Sequence, residues 1–456
     1  MSDVKRQTER PVGGPSPVAS VSRRAALLAP LALGGCSLWD DWFGTKKTPL
    51  LGKREPLQAA ERGLKVDEGV PAVALPPQVR NAAWPQAGGN PVHFMGHLAA
   101  GERLAEAWSA NIGEGGGYRR KILAQPVTAD GVIYTMDSDA VVAAFDMATG
   151  ARHWRFDTKN EDDDSTNIGG GLALDQGTLY AVNGLAELVA LDAAKGSQRW
   201  RKSIGAPGRS APTVAEGRIF LSTIEDRLLA LATDDGRQLW TYQAANFVTG
   251  VLGQPAPAYA RGLVVAGFNS GELVTVRAET GSVVWGDNLA SGATRGSLSD
   301  FSAIRGLPVI AEGRVYAMGI GGLLVGLDLP TGRRLWERNV AGADSPWAAG
   351  PWLFVISLDQ RIGAVHRDDG RVAWVTDLPR WENPEKQKDP ITWFGPLLAG
   401  DRLVVAGTNG EALAVSPYTG EILGRQTLSG AASLGPVVAG GTVFVVSDDG
   451  RLLALR

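Results

Sequence analysis

From about residue 100 to its end, the chain is a succession of short apolar and β-branched runs separated by Gly, Asp or Arg. Val132-Ile133-Tyr134-Thr135, Leu263-Val264-Val265-Ala266 and Leu403-Val404-Val405-Ala406 are examples. Runs of this length bounded by turn formers predict β-strands, and no stretch sustains the 3.6-residue period of an amphipathic helix. The runs also repeat. Ala144-Phe145-Asp146-Met147-Ala148-Thr149-Gly150-Ala151-Arg152-His153-Trp154 matches Ala190-Leu191-Asp192-Ala193-Ala194-Lys195-Gly196-Ser197-Gln198-Arg199-Trp200 at its Ala, Asp, Gly and Trp. The Gly and Trp recur four apart at Gly236 and Trp240, Gly281 and Trp285, Gly332 and Trp336, and Gly370 and Trp374. A further copy at Gly420 has Gly424 in place of the tryptophan, and the last, Arg451 to Arg456, stops before its turn.

Successive glycines of the frame lie 46, 40, 45, 51, 38 and 50 residues apart, averaging 45. That period is the length of a four-stranded propeller blade and exceeds the 33–34 residues of common helical repeats. Each unit predicts a small antiparallel sheet in which the Ala strand turns through Thr-Gly into an outer Trp strand. Glycine supplies the positive φ of the turn, the small residue six before it relieves crowding, and the indole fills the gap to the next blade. Division of the 356 residues from Gly101 to Arg456 by the repeat gives close to eight units. The expected fold is therefore all-β, an eight-bladed propeller. The truncated last unit lacks an outer strand, and Leu104-Ala105-Glu106-Ala107-Trp108-Ser109-Ala110 has a tryptophan strand without a frame of its own. This N-terminal strand is expected to complete the last blade, closing the ring and removing vulnerable edges.

Composition adds to the picture mainly at the N-terminus. Arg23 and Arg24 precede an apolar run, Ala25 to Leu33, that is too short to cross a bilayer but fits a signal-peptide core. It leads into Leu33-Gly34-Gly35-Cys36, and Cys36 is the only cysteine of 456 residues. A disulfide within the chain and a paired-thiol metal site are thereby excluded. The four residues resemble the bacterial lipobox, which implies that Cys36 carries the lipid of a membrane anchor. Ser37, in place of an aspartate after the cysteine, implies delivery to the outer membrane. Ser22-Arg23-Arg24 partly matches a twin-arginine signal, so the export route stays open. Residues 36–80 read as a tether rich in Pro, Lys and Glu, with 1–35 as signal peptide and 81–456 as propeller. The chain carries a formal charge of −3, and −6 without its first 35 residues, which argues against nucleic acid as a partner.

The frame Ala-x-Asp-x-x-Thr-Gly-x-x-x-Trp resembles the quinoprotein propeller repeat, shared by alcohol dehydrogenases that carry pyrroloquinoline quinone and by the BamB lipoproteins of the outer-membrane β-barrel assembly machine. A lipobox, a tether and one eight-bladed propeller ending at the terminus are similar to BamB, and Trp84-Pro85-Gln86-Ala87-Gly88-Gly89-Asn90-Pro91 looks like that family's lead-in segment. The resemblance implies a non-enzymatic scaffold without cofactor, anchored on the periplasmic face of the outer membrane. Its implied partners are the periplasmic domains of the barrel-assembly protein (BamA-like) and unfolded outer-membrane proteins. It also places the docking surface in loops of the central blades, which gives Val251, Leu252, Leu298 and Asp300 as candidate contacts. Where the family tends to carry arginine, this chain has Leu252. The alternative packing of these residues under their own blades stays open, as does a turn-capping role for Asp300.

Two other readings stand beside the scaffold. A quinoprotein dehydrogenase typically carries adjacent cysteines, which this chain lacks, and the acids from Glu161 to Asp164 read as a solvated run. A sugar- or cell-wall-binding propeller would expose clustered rings, for which Trp381, Trp393 and Phe394 are the candidates. Gly113 to Lys121 mimics a phosphate loop but lacks the Gly-Lys-Ser/Thr ending and reads as a link between blades. His93 and His97 are four apart, but Pro91 and Gly96 argue against the helix that would bring them together as metal ligands.

Overall fold

The computed structural model describes residues 64–118, 120–160, 165–247, 250–290 and 302–456. Among them, eight four-stranded antiparallel sheets follow in sequence order, and a two-stranded hairpin, Trp381–Asn383 with Lys388–Pro390, lies between the sixth and seventh. Blade 1 pairs Val127–Ala129, Val132–Met136, Val141–Asp146 and Arg152–Asp157 in that order, here termed strands a to d. Blades 2 to 7 repeat this at 171–203, 213–243, 258–288, 309–338, 347–377 and 393–427. The b and c strands lie between neighbouring blades and are buried on both faces, which is why they read as unbroken apolar runs. The d strands alternate exposed and half-buried positions.

The propeller closes as expected. Blade 8 takes its a, b and c strands from Val437–Ala439, Thr442–Ser447 and Arg451–Leu455, and its d strand from Glu106–Asn111. Trp108 pairs with Ala454 and Asn111 with Arg451 across this joint.

Each position of the repeated frame has a physical role. The alanine faces the tryptophan across the c and d strands: Ala144 opposite Trp154, Ala190 opposite Trp200, Ala364 opposite Trp374. In blade 5 the small residue is Gly326, where a Cβ would come within 2.5 Å of the Trp336 ring. The aspartate caps the turn, Asp146 Oδ1 accepting from the amides of Ala148 (3.0 Å) and Thr149 (2.8 Å) and from Thr149 Oγ1 (2.8 Å). The Thr149 contacts hold the Asp146 carboxyl below the usual carboxylate range. The glycine has a φ near +70° and lies under the indole of the preceding blade; a Cβ on Gly332 (φ 69°) would fall 2.6 Å from the Trp285 ring. That indole also hydrogen-bonds across the seam, Trp285 Nε1 donating to Leu329 O (2.6 Å) and Trp240 Nε1 to Ala278 O (2.8 Å).

Residues 79–101 lace the inner strands together in blade order. Asn81 Nδ2 donates to Val438 O of blade 8 (2.6 Å), and Trp84 exchanges backbone bonds with Thr128 of blade 1 (3.0 and 2.8 Å). Pro85 O accepts from Leu174 N of blade 2 (2.7 Å), and Gln86 brackets Val214 of blade 3 through both side-chain polar atoms (3.1 and 2.9 Å). Blades 4 and 5 donate Tyr259 N to Pro91 O (2.6 Å) and Ile310 N to Val92 O (2.9 Å). Trp347 Nε1 of blade 6 donates to Gly96 O (2.9 Å), Leu98 N to Leu398 O of blade 7 (3.4 Å), and Gly101 N returns to Gly441 O of blade 8 (3.3 Å). Earlier chain is docked too. Leu64 is buried, and Asp67 exchanges hydrogen bonds with Val372 (3.0 and 2.8 Å) and pairs with Arg338 (2.8 Å). The described chain is thus attached to the propeller from Leu64, ahead of the boundary at residue 81 expected from the sequence.

Candidate functional site

In an up-and-down sheet of four strands, the b–c turns and the d–a crossings emerge at one end, and the a–b and c–d turns at the other. The lacing segment forms the floor of the central channel with Trp84, Ala87, Gly88 and His93. The walls come from residues that just precede the a strands, among them Gln125, Arg209, Gln254, Arg305, Asp344 and Gly435, and from Gly395 within the a strand of blade 7. The result is a cup of about 160 Å3 to which every blade contributes. Its rim belongs to the face that carries the crossings.

The crossing from blade 3 to blade 4 holds Val251 and Leu252, and a buried polar chain fixes it. Asp226, in the b–c turn of blade 3, is fully buried and accepts from Gln254 Nε2 (2.6 Å), Asn269 Nδ2 (2.9 Å) and Ser270 N (3.3 Å). Asn269 Oδ1 in turn accepts from Val251 N (3.1 Å), and Gln254 N donates to Arg209 O (2.9 Å). Burial raises the Asp226 carboxyl to about 6, with the amide donors opposing the shift. Held this way, Val251 is half-buried while Leu252 is 41% exposed. Ile224, from the same b–c turn as Asp226, is 42% exposed on the same face. Of the two packing alternatives, Leu252 takes the outward one. Leu298 and Asp300, as well as Cys36 and residues 161–164, lie outside the described residues.

Asp226, Asn269 and Gln254 carry no mark in the sequence, because a polar residue in a turn reads as solvated until its burial is known. The other candidates resolve into structural roles. His93 is buried, its Nδ1 against Pro308 O (2.7 Å), and burial lowers it to about 4, so its ring is neutral. His97 bonds Pro76 O instead (2.8 Å). Among the described residues no three of His, Cys, Asp and Glu converge as metal ligands. Gly116 N donates to Asp448 O (2.5 Å), so the glycine-rich stretch links blades 8 and 1 as expected. Trp393 is fully buried with Nε1 on Pro379 O (2.7 Å), Phe394 lines the cup, and Trp381 sits half-buried in the hairpin, so the three rings do not form one exposed platform.

The family model described as outer membrane protein assembly factor BamB matches residues 138–376 and 378–456. A second, described as the β-propeller domain of glucose, ethanol and alcohol dehydrogenases, matches residues 100–175. The outer membrane protein assembly factor BamB of Shewanella oneidensis is 28% identical over 355 residues, covering 76% of this chain and 87% of that protein. The crystal structure of BamB from Moraxella catarrhalis superposes with a TM-score of 0.66 at 18% identity over 77% of this chain and 99% of that one. The quinohemoprotein alcohol dehydrogenase of Comamonas testosteroni gives 0.62 at 15% identity, over 83% and 81%. At such identities the structural likeness speaks for the fold alone. The BamB model, however, accounts for well over half of the sequence, and the chain therefore belongs to the outer membrane protein assembly factor BamB family.

Proposed function

We propose that this protein is a lipid-anchored, non-enzymatic subunit of an outer-membrane protein assembly machine, which docks on the periplasmic part of the barrel-assembly protein through the crossings around Leu252. The observation that carries the reading is an exposed leucine on a loop pinned from beneath by Asp226, Asn269 and Gln254, in a chain of the BamB family. A large apolar side chain held rigidly in water loses little conformational entropy on being covered, as binding hot spots require. Leu298 and Asp300, on the crossing from blade 4 to blade 5, extend the proposed surface. The lipid on Cys36 holds the body to the membrane in this reading. Unfolded outer-membrane proteins are its clients in this reading.

The dehydrogenase alternative draws on the shared propeller and the match over 100–175. Against it stand the single cysteine, Cys36, and a central cup of about 160 Å3, well under the roughly 300–1,000 Å3 of a site for a drug-sized ligand.

The test is mild-detergent purification of the lipidated protein from envelopes, in parallel with the triple variant Val251→Glu, Leu252→Glu, Asp300→Arg. Co-purification of the barrel-assembly protein with the wild type and its loss in the variant are expected. Retention in the variant overturns the site. Absence from the wild type, with a quinone spectrum in its place, overturns the function. Cys36→Ser is expected to move the protein out of the membrane fraction.

A further inference from the structure

The cup is chemically specific. Among its lining residues stand two arginines, Arg209 and Arg305, against a single carboxylate, Asp344. His93, held neutral, adds no charge. Arg209 Nη1 donates to Ile168 O (2.5 Å) and to Gly208 O (3.2 Å), which fixes that guanidinium beside the cup. The lining also carries apolar surface, with the Trp84 and Trp347 rings stacked (centroids 6.2 Å apart, planes at 17°) and Phe394.

We propose that the central cup is a binding site for a small carboxylate, whose charged end pairs with Arg209 and Arg305 and whose body lies on the rings of Trp84, Trp347 and Phe394. An arginine fork matches a carboxylate in shape as well as charge, and two of them around one cavity set the sign of the ligand. A cup of about 160 Å3 lies below the roughly 300–1,000 Å3 of sites for larger ligands, which selects a small acid or the end of a chain over a large cofactor. Its rim includes Gly253 and Gln254, directly after Leu252, so the occupant sits next to the proposed docking loop. This inference rests on the geometry of the cup alone and stands whether or not Leu252 contacts a partner.

Asp344 sharpens the expectation. Burial raises its carboxyl to about 6, the charge of Arg305 opposing the shift. Above pH 6 it is a like charge in the same cavity, and on protonation it becomes a donor. Because Asp344 loses its charge over this range while His93 stays neutral above about pH 4, binding of a carboxylate tightens as the pH falls from 7.5 to 5.5.

The experiment is calorimetric titration of the mature protein with 3-phenylpropionate, with its amide as the neutral control, and with a short peptide ending in a free phenylalanine carboxylate. Saturable binding of the acid and none of the amide is expected. Arg305→Gln should weaken it by about tenfold or more, the loss of one charge-assisted pair, while Arg305→Lys, which keeps the charge without the fork, restores only part of the affinity. Thermal melts of both variants separate a lost ligand from a lost fold. Tighter binding of the peptide than of 3-phenylpropionate assigns the site to chain ends, and the reverse assigns it to free acids. No binding by either acid at about 10 mM, equal binding of the amide, or indifference to Arg305→Gln overturns the proposal.

Discussion

The seam between blades 6 and 7 and the seam between blades 7 and 8 solve one packing problem differently. At the first, Trp374 of blade 6 lies over Gly420 of blade 7, where a Cβ would come within 2.5 Å of its ring, and donates Nε1 to Pro417 O (2.9 Å). At the second there is no tryptophan, because Gly424 holds its place and nothing lies within 4 Å of where its Cβ would be. Blade 8 has no c–d turn to receive an indole, since its c strand ends at Leu455 and its d strand comes from Glu106–Asn111. Glycine and tryptophan thus work as a pair across a seam, and where closure of the ring removes the receiving turn, the pair is absent. Chain 101–105 crosses this seam instead: Arg402 bonds Gly101 O and, at 2.6 Å, Glu102 O, and Leu104 packs on the core. A cleft of about 370 Å3 remains beside Gly424 and Leu423.

The comparison breaks most visibly at a stapled seam. Trp285→Ala removes a side chain only 8% exposed together with its bond to Leu329 O, and an unfolding cost of about 3–5 kcal/mol is expected by urea denaturation. Trp108→Ala should cost clearly less. Trp108 is partly exposed and its Nε1 has no partner, since the carbonyl equivalent to Leu329 O, that of Met147, accepts from Arg456 (2.9 Å). Equal losses at the two sites would show that the indole bond across the seam contributes nothing.

Gly332→Ala attacks the same staple from the receiving side. The new Cβ meets the Trp285 ring at 2.6 Å and the backbone holds a φ of 69°, so overpacking and strain together cost about 2–3 kcal/mol. Gly313, in a turn of the same blade with open space around it, is the control: Gly313→Ala carries the φ penalty without the clash. The difference between the two melts isolates the contact with the tryptophan. Removal of Arg456 should cost less again, about 1 kcal/mol, because it releases hydrogen bonds to Met147 O and Thr442 Oγ1 (3.0 Å) at a partly exposed joint.

This architecture was legible in the sequence to the extent that it is local and repeated. The frame reports its own turn, its cross-strand pair and its seam, so blade count and ring closure follow from Gly150 through Gly420 and from the strand around Trp108. Unique contacts were not legible. The lacing of residues 79–101 through eight inner strands depends on single bonds such as Gln86 to Val214, which occur once and leave no period. The same holds for the loop of Leu252, which could be marked while the Asp226, Asn269 and Gln254 chain that holds it could not. The cup combines residues from blades far apart in sequence, Arg209 with Arg305 and Asp344, and only the closed ring brings them together.

The smallest expected effect tests the unstapled seam. Gly424 sits inside the strand Ile422–Thr427 opposite Ala414, with a φ outside the left-handed region and room for a side chain. A glycine in a strand that needs neither its conformational freedom nor its small size is destabilising through the entropy of the unfolded chain. Gly424→Ala should therefore raise stability by about 0.5–1 kcal/mol, opposite in sign to Gly332→Ala. A loss of stability would mean that chain 101–105 packs more closely on Gly424 than the cleft beside it indicates, and that this seam is sealed as tightly as the stapled ones, by backbone in place of an indole.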